Sequence, residues 1–397
     1  MMNNIKQCVK KVVQETSAGK KYFVRKALNT VVNNVLIPAD QVRLAENDLE
    51  EQARLLTEQM KKCPQKATEM EMIINNLLRN NALGETDKER LKQDMLYSYF
   101  AYGYTPNEYV CYEFWNKNLS ERRGYVSDRE SVRFAYRVND RSAIYVFVDK
   151  MTTYMRFKKY YCRDAISISN KKDYAAFCEF ISKHPVFVKK IVNESCGRSV
   201  ELIDSAQKGQ KALFADILAQ GKTILEEPIR QHPKMATLNR SSVNTIRCLT
   251  LNTVQGILIP WCFIKVGRAG SFVDNGGAGG ILIGIDPDTG IISTDGYDET
   301  NQKYEVHPDS GVHFQGFVIP EWEAMKEICI EMASQIPTMG WIGWDMAYSE
   351  NGWVVVEGNA LSEVIGPQAT FKKGIRAELT RYMPNMKAYY PDSTIDI

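Results

Sequence analysis

Histidine is scarce in this chain. Among 397 residues there are four, His184, His232, His307 and His313, which argues against histidine-rich metal chemistry and Ser-His-Asp catalysis. The nine cysteines are an odd number and include no Cys-x-x-Cys pair, so neither a disulfide framework nor a zinc site is expected, and a reducing cytoplasm fits. No apolar run approaches the length of a bilayer crossing, and the N-terminal stretch lacks the apolar core of a secretory signal. A cytoplasmic protein with no transmembrane segment is the expectation. Charge of one sign is also missing. Lys and Arg number 50 against 48 Asp and Glu, so composition gives no reason to expect a nucleic-acid partner. Gly221-Lys222-Thr223 has the tail of a phosphate-binding loop, but Asp216 stands where its first glycine belongs. No Gly-x-Gly-x-x-Gly follows a strand, and His-Glu-x-x-His is absent.

The length allows two or three domains. Residues 1 to about 100 read as helical, with Leu49, Ala53, Leu56 and Met60 on one face and Met70, Ile73, Ile74 and Leu77 on another. Thr86-Asp87-Lys88-Glu89 is a capping box that predicts a helix start. The first 43 residues carry eight Lys or Arg around the stripe Ile5, Val9, Val12 and Val13. Two readings fit: a helix on an anionic membrane surface, or a solvated helix packed on the domain. Farther on, Ala143 to Val148, Pro185 to Lys189 and Thr223 to Leu225 read as strands. Helical stretches separate them, one capped by Asn170 and carrying Ala176, Phe177, Phe180 and Ile181. Strands alternating with helices indicate an α/β or α+β fold. Pro320 is expected at the first position of a helix lined by Met325, Ile328 and Met332.

Near the C-terminus two apolar strands, Trp341 to Tyr348 and Trp353 to Gly358, flank Asn351-Gly352, a strong hairpin signal. Asp345 lies within the first, and Glu357 and Asn359 share a face at the end of the second. A carboxylate among Trp, Val and Ile is costly unless neutralised, and a hard divalent cation with oxygen ligands would do this. A three-residue loop, Glu350 to Gly352, or an equivalent bulge, pairs Asp345 with Glu357 and puts all three ligands on one face. The alternative is a hairpin whose acids face water. Upstream, Lys189 ends a strand before the polar loop Asn193 to Arg198, which includes Ser195 and Gly197, and Asp149 can cap a helix with Lys150 in its first turn. Both suit phosphate oxygens. The stretch Leu225-Glu226-Glu227-Pro228-Ile229 can meet an adenine edge, or be a plain surface linker. Arg247, Lys265, Arg268 and the loop Asp274-Asn275-Gly276-Gly277-Ala278-Gly279-Gly280 can clamp a phosphoryl group or a carboxylate.

In this order the segments resemble the ATP-grasp superfamily, and most of all its sugar-transfer-associated branch, over roughly Phe147 to Leu379. The resemblance rests on Asn244-Thr245-Ile246-Arg247, on Asp274-Asn275 with its glycines, and on Asp345 with Glu357-Gly358-Asn359. It implies an α+β (α/β) fold of two lobes enclosing ATP, behind a helical N-terminal region. The implied boundaries are 1–85 helical, 86–149 preceding the ATP-grasp part, 150–234 small lobe and 235–397 large lobe. It implies a carboxylate–amine ligase that uses ATP with Mg2+, or Mn2+ in its place, and acts through an acyl phosphate. The implied partners are a carboxylate and an amine, or a sugar acid or other glycan precursor. Lys150, Lys189, Ser195, Gly197 and Lys265 would hold phosphates, and Glu226, Glu227 and Ile229 the base. Arg247, Arg268 and Asn275 would serve catalysis, and Asp345, Glu357 and Asn359 the metal. A hydroxyl phosphotransferase and a non-catalytic nucleotide-binding module remain as alternatives. The sequence departs from the family pattern at Lys190, where a proline is usual, and at Gln231 and His232, where an acid for the ribose is usual.

Overall fold

A computed structural model describes residues 36–79, 85–192 and 200–390. The chain forms two compact units, divided between Phe134 and Ala135. No helix among the described residues is long and apolar enough to cross a membrane. The basic stripe at Ile5 to Val13 lies outside the described residues.

The described residues of the first unit are largely helical. They include α1 (Ala39–Leu44), α2 (Leu49–Lys62), α3 (Pro64–Arg79), α4 (Glu85–Tyr97), α5 (Pro106–Cys111) and α6 (Leu119–Arg122). Asp48 starts α2 by accepting a hydrogen bond from the Glu51 amide. This helix buries Leu55, Leu56 and Gln59 and leaves Leu49 and Ala53 exposed. The buried stripe is thus rotated from the expected one, because adjacent Leu55 and Leu56 carry the packing. In α3, Met70 and Ile74 are buried as expected, joined by Ala67 and Leu78 rather than by Ile73 and Leu77. Because α4 already begins at Glu85, Thr86 is its second residue and not its cap.

Helix α7 (Asp128–Val138) carries the chain past the division, and α8 (Arg141–Val148) and α9 (Lys150–Tyr161) follow. The β-rich run Ala143 to Val148 is therefore helix, contrary to expectation. Asp140 caps it through the Ser142 amide, and its Ile144 side is buried. Tertiary packing overrides β propensity here. Asp149 closes α8 and caps α9, accepting from the amides of Met151 and Thr152 at 3.0 Å each.

Strands β1 (Ala165–Ile168), β2 (Val186–Ile191), β3 (Val200–Asp204) and β4 (Thr223–Glu226) form a sheet in the order β1-β4-β2-β3. Helices α10 (Tyr174–Lys183) and α11 (Gln210–Ala219) accompany it. Phe177, Phe180 and Ile181 of α10 and Leu213, Phe214 and Ile217 of α11 pack with Ile168, Phe187 and Leu225 of the strands. Each such buried side chain contributes roughly 1.5–3 kcal/mol. Ala176 is exposed, and Asn170 caps a single 3-10 turn that leads into α10.

After the short α12 (Pro233–Ala236) come β5 (Thr245–Thr253), β6 (Gly256–Val266), β7 (Ile281–Ile285), β8 (Ile292–Tyr297), β9 (Lys303–Tyr304), β10 (Trp341–Ser349) and β11 (Gly352–Asn359). They form a seven-stranded sheet in the order β11-β10-β5-β6-β7-β8-β9. Every strand pair in both sheets is antiparallel, which makes the fold α+β. Helix α13 (Trp322–Ser334) covers one face, with Met325, Cys329 and Met332 buried. Pro320 precedes its cap residue, Glu321, instead of occupying the first helical position. Helix α14 (Ile365–Phe371) lies near the opposite face, where Gly366 leaves room for the ring of Phe263. Helix α15 (Arg376–Tyr382) follows.

Candidate active site

The hairpin of β10 and β11 supplies the acids. Its loop has only two residues, Glu350 and Asn351, because Ser349 pairs with Gly352. Gly352 takes the left-handed φ of 99° that glycine tolerates best. With this loop alone, Asp345 would face Val356. A bulge intervenes: Met346 pairs with Val355, Asp345 pairs with Glu357, and Val356 is left over. The expected pairing therefore arises from a bulge and not from a three-residue loop. Gly343 pairs with Asn359, so Asp345, Glu357 and Asn359 share one face. Asn139 fastens the open end, with its amide donating to the carbonyls of Trp341 (2.9 Å) and Ala360 (2.8 Å).

Asp345 is buried between two cations. Arg247 donates to it twice, Nε to Oδ1 at 2.5 Å and Nη2 to Oδ2 at 2.9 Å, and Lys265 Nζ lies 3.1 Å from Oδ2. Burial would raise the carboxyl pKa, but Arg247 and Lys265 outweigh it and hold Asp345 well below the usual carboxylate range. Arg247 also donates to Ser362 Oγ at 3.1 Å. Asp274 lies nearby and accepts from the Thr245 amide at 2.8 Å. Burial pushes its pKa up, and the charge of Lys265 opposes this.

A cavity of about 220 Å³ lies beside the hairpin. Helix α8 contributes Ile144, Phe147 and Val148, and α9 contributes Lys150, Thr153 and Tyr161. Lys190 and Glu226 come from the small sheet, and Val356 to Leu361 from β11 and its exit. Lys150, in the first turn of α9, stands 3.7 Å from Glu357 Oε2. Lys190 donates to Glu226 Oε2 at 2.8 Å. Burial would raise the Glu226 carboxyl, but Lys190 and Arg163 prevail and hold it at about 2. Burial pushes the Lys190 ammonium down, opposed by Glu226.

Several expected residues are elsewhere. Lys189 points to the other face of β2, where its Nζ donates to Gln220 Oε1 at 2.7 Å and meets Glu201 Oε2 at 2.9 Å. Register is the reason. Lys189 pairs with Leu225 on the helix-covered face, whereas Val188, two residues before Lys190, pairs with Glu226. Ser195 and Gly197 lie outside the described residues. Glu227 donates its amide to the Asp164 carbonyl, accepts from the Asp164 amide through its carboxylate and, like Ile229, does not line the cavity. Arg268 is held by the Gly279 carbonyl, Tyr304 and Asp298, and is not in the cavity. It braces the glycine-rich loop, in which the Asn275 carbonyl accepts from the Gly280 amide at 3.0 Å. Gln231 and Asn244 also hold backbone, since the Gln231 amide nitrogen donates to the carbonyls of Asn239 and Ser242, and its oxygen accepts from the Asn244 amide. His307 is fully buried, with Nε2 2.8 Å from the Gly267 carbonyl. Sequence reasoning did not single out Lys190, Tyr161 or Arg163 as site residues.

Among the described residues no group of three or more His, Cys, Asp or Glu is placed to hold a metal. Two carboxylates and an amide nevertheless fit Mg2+, which typically takes one or two carboxylates and completes its shell with phosphates and water. Among the described residues the buried Asn359 amide nitrogen has no hydrogen-bond partner. Because amide N and O are interchangeable by a flip, this unmatched atom can be an oxygen facing a cation. Asp345 accepts three contacts and has about four lone-pair sites, so it keeps capacity for one more.

The fold thus has a small antiparallel sheet bearing Lys190 and Glu226 and a larger one bearing the Asp345/Glu357 hairpin. The family model for sugar-transfer associated ATP-grasp proteins matches residues 129–383, and the chain belongs to this family. A comparison with curated proteins gives no match. Among solved structures, the chain is similar to the D-alanine–D-alanine ligase from Coxiella burnetii, with 9% identity, a TM-score of 0.37, and coverage of 61% of this chain and 57% of that one. It is similar to N5-carboxyaminoimidazole synthetase from Staphylococcus aureus complexed with ADP, at 12% identity and a TM-score of 0.40, covering 63% and 55%. The ATP-grasp ligase PsnB, complexed with minimal precursor, Mg and ADP, matches at 11% identity and a TM-score of 0.37, covering 62% and 61%. The chain thus spans less than two thirds of the length of each.

Proposed function

We propose that this chain is an ATP- and Mg2+-dependent ligase that joins a carboxylate to an amine. The observation that carries the reading is the cavity that gathers Lys150, Lys190, Glu226, Glu357 and Asn359 beside the Arg247–Asp345 pair. Lys150 and Lys190 hold the phosphates, and Lys190 replaces Lys189 in this role. Glu226 meets the adenine amino group. Asp345, Glu357 and Asn359 hold Mg2+, which when bound neutralises charge on the phosphates; Mn2+ suits the same oxygen ligands.

Arg247 and Lys265 give the hairpin face its positive charge. They orient the substrate carboxylate, whose oxygen attacks the γ-phosphorus of ATP; the bond to ADP breaks, leaving an acyl phosphate and ADP. An amine then attacks the acyl carbon, the bond to phosphate breaks and the nitrogen releases a proton, giving an amide and inorganic phosphate. Arg247 stabilises negative charge developing at these steps. Arg268 and Asn275 act indirectly, by shaping the loop that carries Asp274. The family's sugar-transfer association favours a sugar acid or surface-polysaccharide precursor as one substrate. The chemistry needs no side-chain nucleophile and suits a reducing cytoplasm.

The test is ATP turnover against pools of carboxylates, amines and sugar acids, with products read by mass. ADP together with an amide is expected. A phosphorylated hydroxyl without condensation would contradict the ligase reading.

A further inference from the structure

Arg163 lies between the end of α9 and the start of β1, and only 4% of its side chain is exposed. Nε and Nη2 donate to Glu226 Oε2 at 3.1 and 2.9 Å. Nη1 donates to the Tyr161 carbonyl at 3.1 Å and to the Val355 carbonyl at 2.7 Å. The guanidinium carbon stands 4.6 Å from the centre of the Tyr161 ring. The chain on either side is fixed as well. Asp164 accepts from the Glu227 amide at 2.9 Å, and Ala165 pairs with Glu226.

The Val355 contact has a particular consequence. Among the described residues strand β11 is the edge of its sheet, so its outward carbonyls face no further strand there. Val355 is the last residue in register before the bulged Val356, and Glu357 follows. A bulge is a local choice between two registers, and a bond at its shoulder biases that choice. The same guanidinium holds Glu226 at the other end of the cavity.

We infer that Arg163 is a positioning residue that couples the Glu226 end of the cavity to the bulge placing Glu357 opposite Asp345. This rests on the function proposed above for what the two ends bind, but the mechanical link stands on the contacts alone. A planar fork can serve an acid and two carbonyls in different directions at once. An ammonium on a lysine stem cannot, so Arg163→Lys keeps the charge and loses the link.

The experiment compares amide hydrogen exchange in wild type, Arg163→Lys and Glu226→Gln. In Arg163→Lys, amides of Gly352–Asn359 are expected to exchange about tenfold faster, as for loss of one charge-assisted bond, while Gly256–Val266 keep their protection. In Glu226→Gln, which removes the charge from the other arm and leaves a weaker neutral acceptor, exchange in Gly352–Asn359 rises severalfold through the loosened Arg163. Unchanged exchange there in both variants would overturn the link. Should Arg163→Lys fail to fold, unchanged exchange in Glu226→Gln would do so by itself. A second readout is the Mg2+ concentration for half-maximal ATP turnover, expected to rise about tenfold in Arg163→Lys. A rise in exchange with an unchanged Mg2+ requirement would overturn the positioning role. If wild type shows no Mg2+-dependent turnover, the proposed function fails, and the exchange measurement still decides the link.

Discussion

Lys189 and Lys190 show how one position on a strand separates the cavity from the opposite face. Lys190 faces the cavity and Lys189 faces Gln220 and Glu201. Lys190→Met is expected to weaken ATP binding by about tenfold or more, about 1.4 kcal/mol. Lys189→Met is expected to leave binding near wild type and to lower stability by about 1 kcal/mol or less, since its partner Glu201 is more than half exposed. Calorimetric titration with ATP and chemical denaturation of both variants check this. Glu226 carries a pH prediction. Its carboxyl is held at about 2 against an ordinary 4.5. A depressed folded-state pKa means the stabilisation is complete above 4.5 and is lost as pH falls through 2. The fall in stability across that window should be shallower in Glu226→Gln, by denaturation at a series of pH values. An equal slope would show that Glu226 is not held this way.

At the scale of elements, three features of the hairpin agree: a two-residue loop, a bulge at Val356 and a glycine between Glu357 and Asn359. Gly358 is needed because a Cβ there would stand 2.7 Å from Phe147 and 2.9 Å from Trp344. Gly358→Ala is expected to cost about 1–3 kcal/mol by overpacking and to displace Phe147 from the cavity wall, measurable by denaturation and by the environment of the Phe147 ring. The Asp345–Glu357 pairing was legible in the sequence, because a Gly after a polar loop and the alternation of acids along strands are local signals. The sequence leaves a three-residue loop and a bulge as alternatives; which of them sets the register depends on what lies beside the strand. The Ala143–Val148 run departs from the expected strand for a related reason. Its β-branched residues signal a strand, but packing of its Ile144 side and capping by Asp140 decide for helix.

For the whole molecule, the described site residues all lie between Ala135 and Ser393, in one compact unit. The order of the motifs along the chain sufficed to indicate the family, because each is a short segment with its own chemistry. Contacts across long stretches of chain were out of reach. Arg163 meets Val355 across 192 residues, and Arg247 meets Asp345 across 98. The described residues of the first unit are largely helical, although their buried stripes are set by neighbours that the sequence does not announce.

The central claim is that Asp345, Glu357 and Asn359 form a cation site serving ATP in the adjoining cavity. Its most direct test is calorimetric titration of ATP into wild type and Glu357→Gln, each with Mg2+ and with chelator. Wild type should bind ATP at least tenfold more tightly with Mg2+ than without. Glu357→Gln should remain folded, because its side chain is 41% exposed, and should lose most of that Mg2+ dependence. Equal Mg2+ enhancement in the two proteins would contradict the assignment.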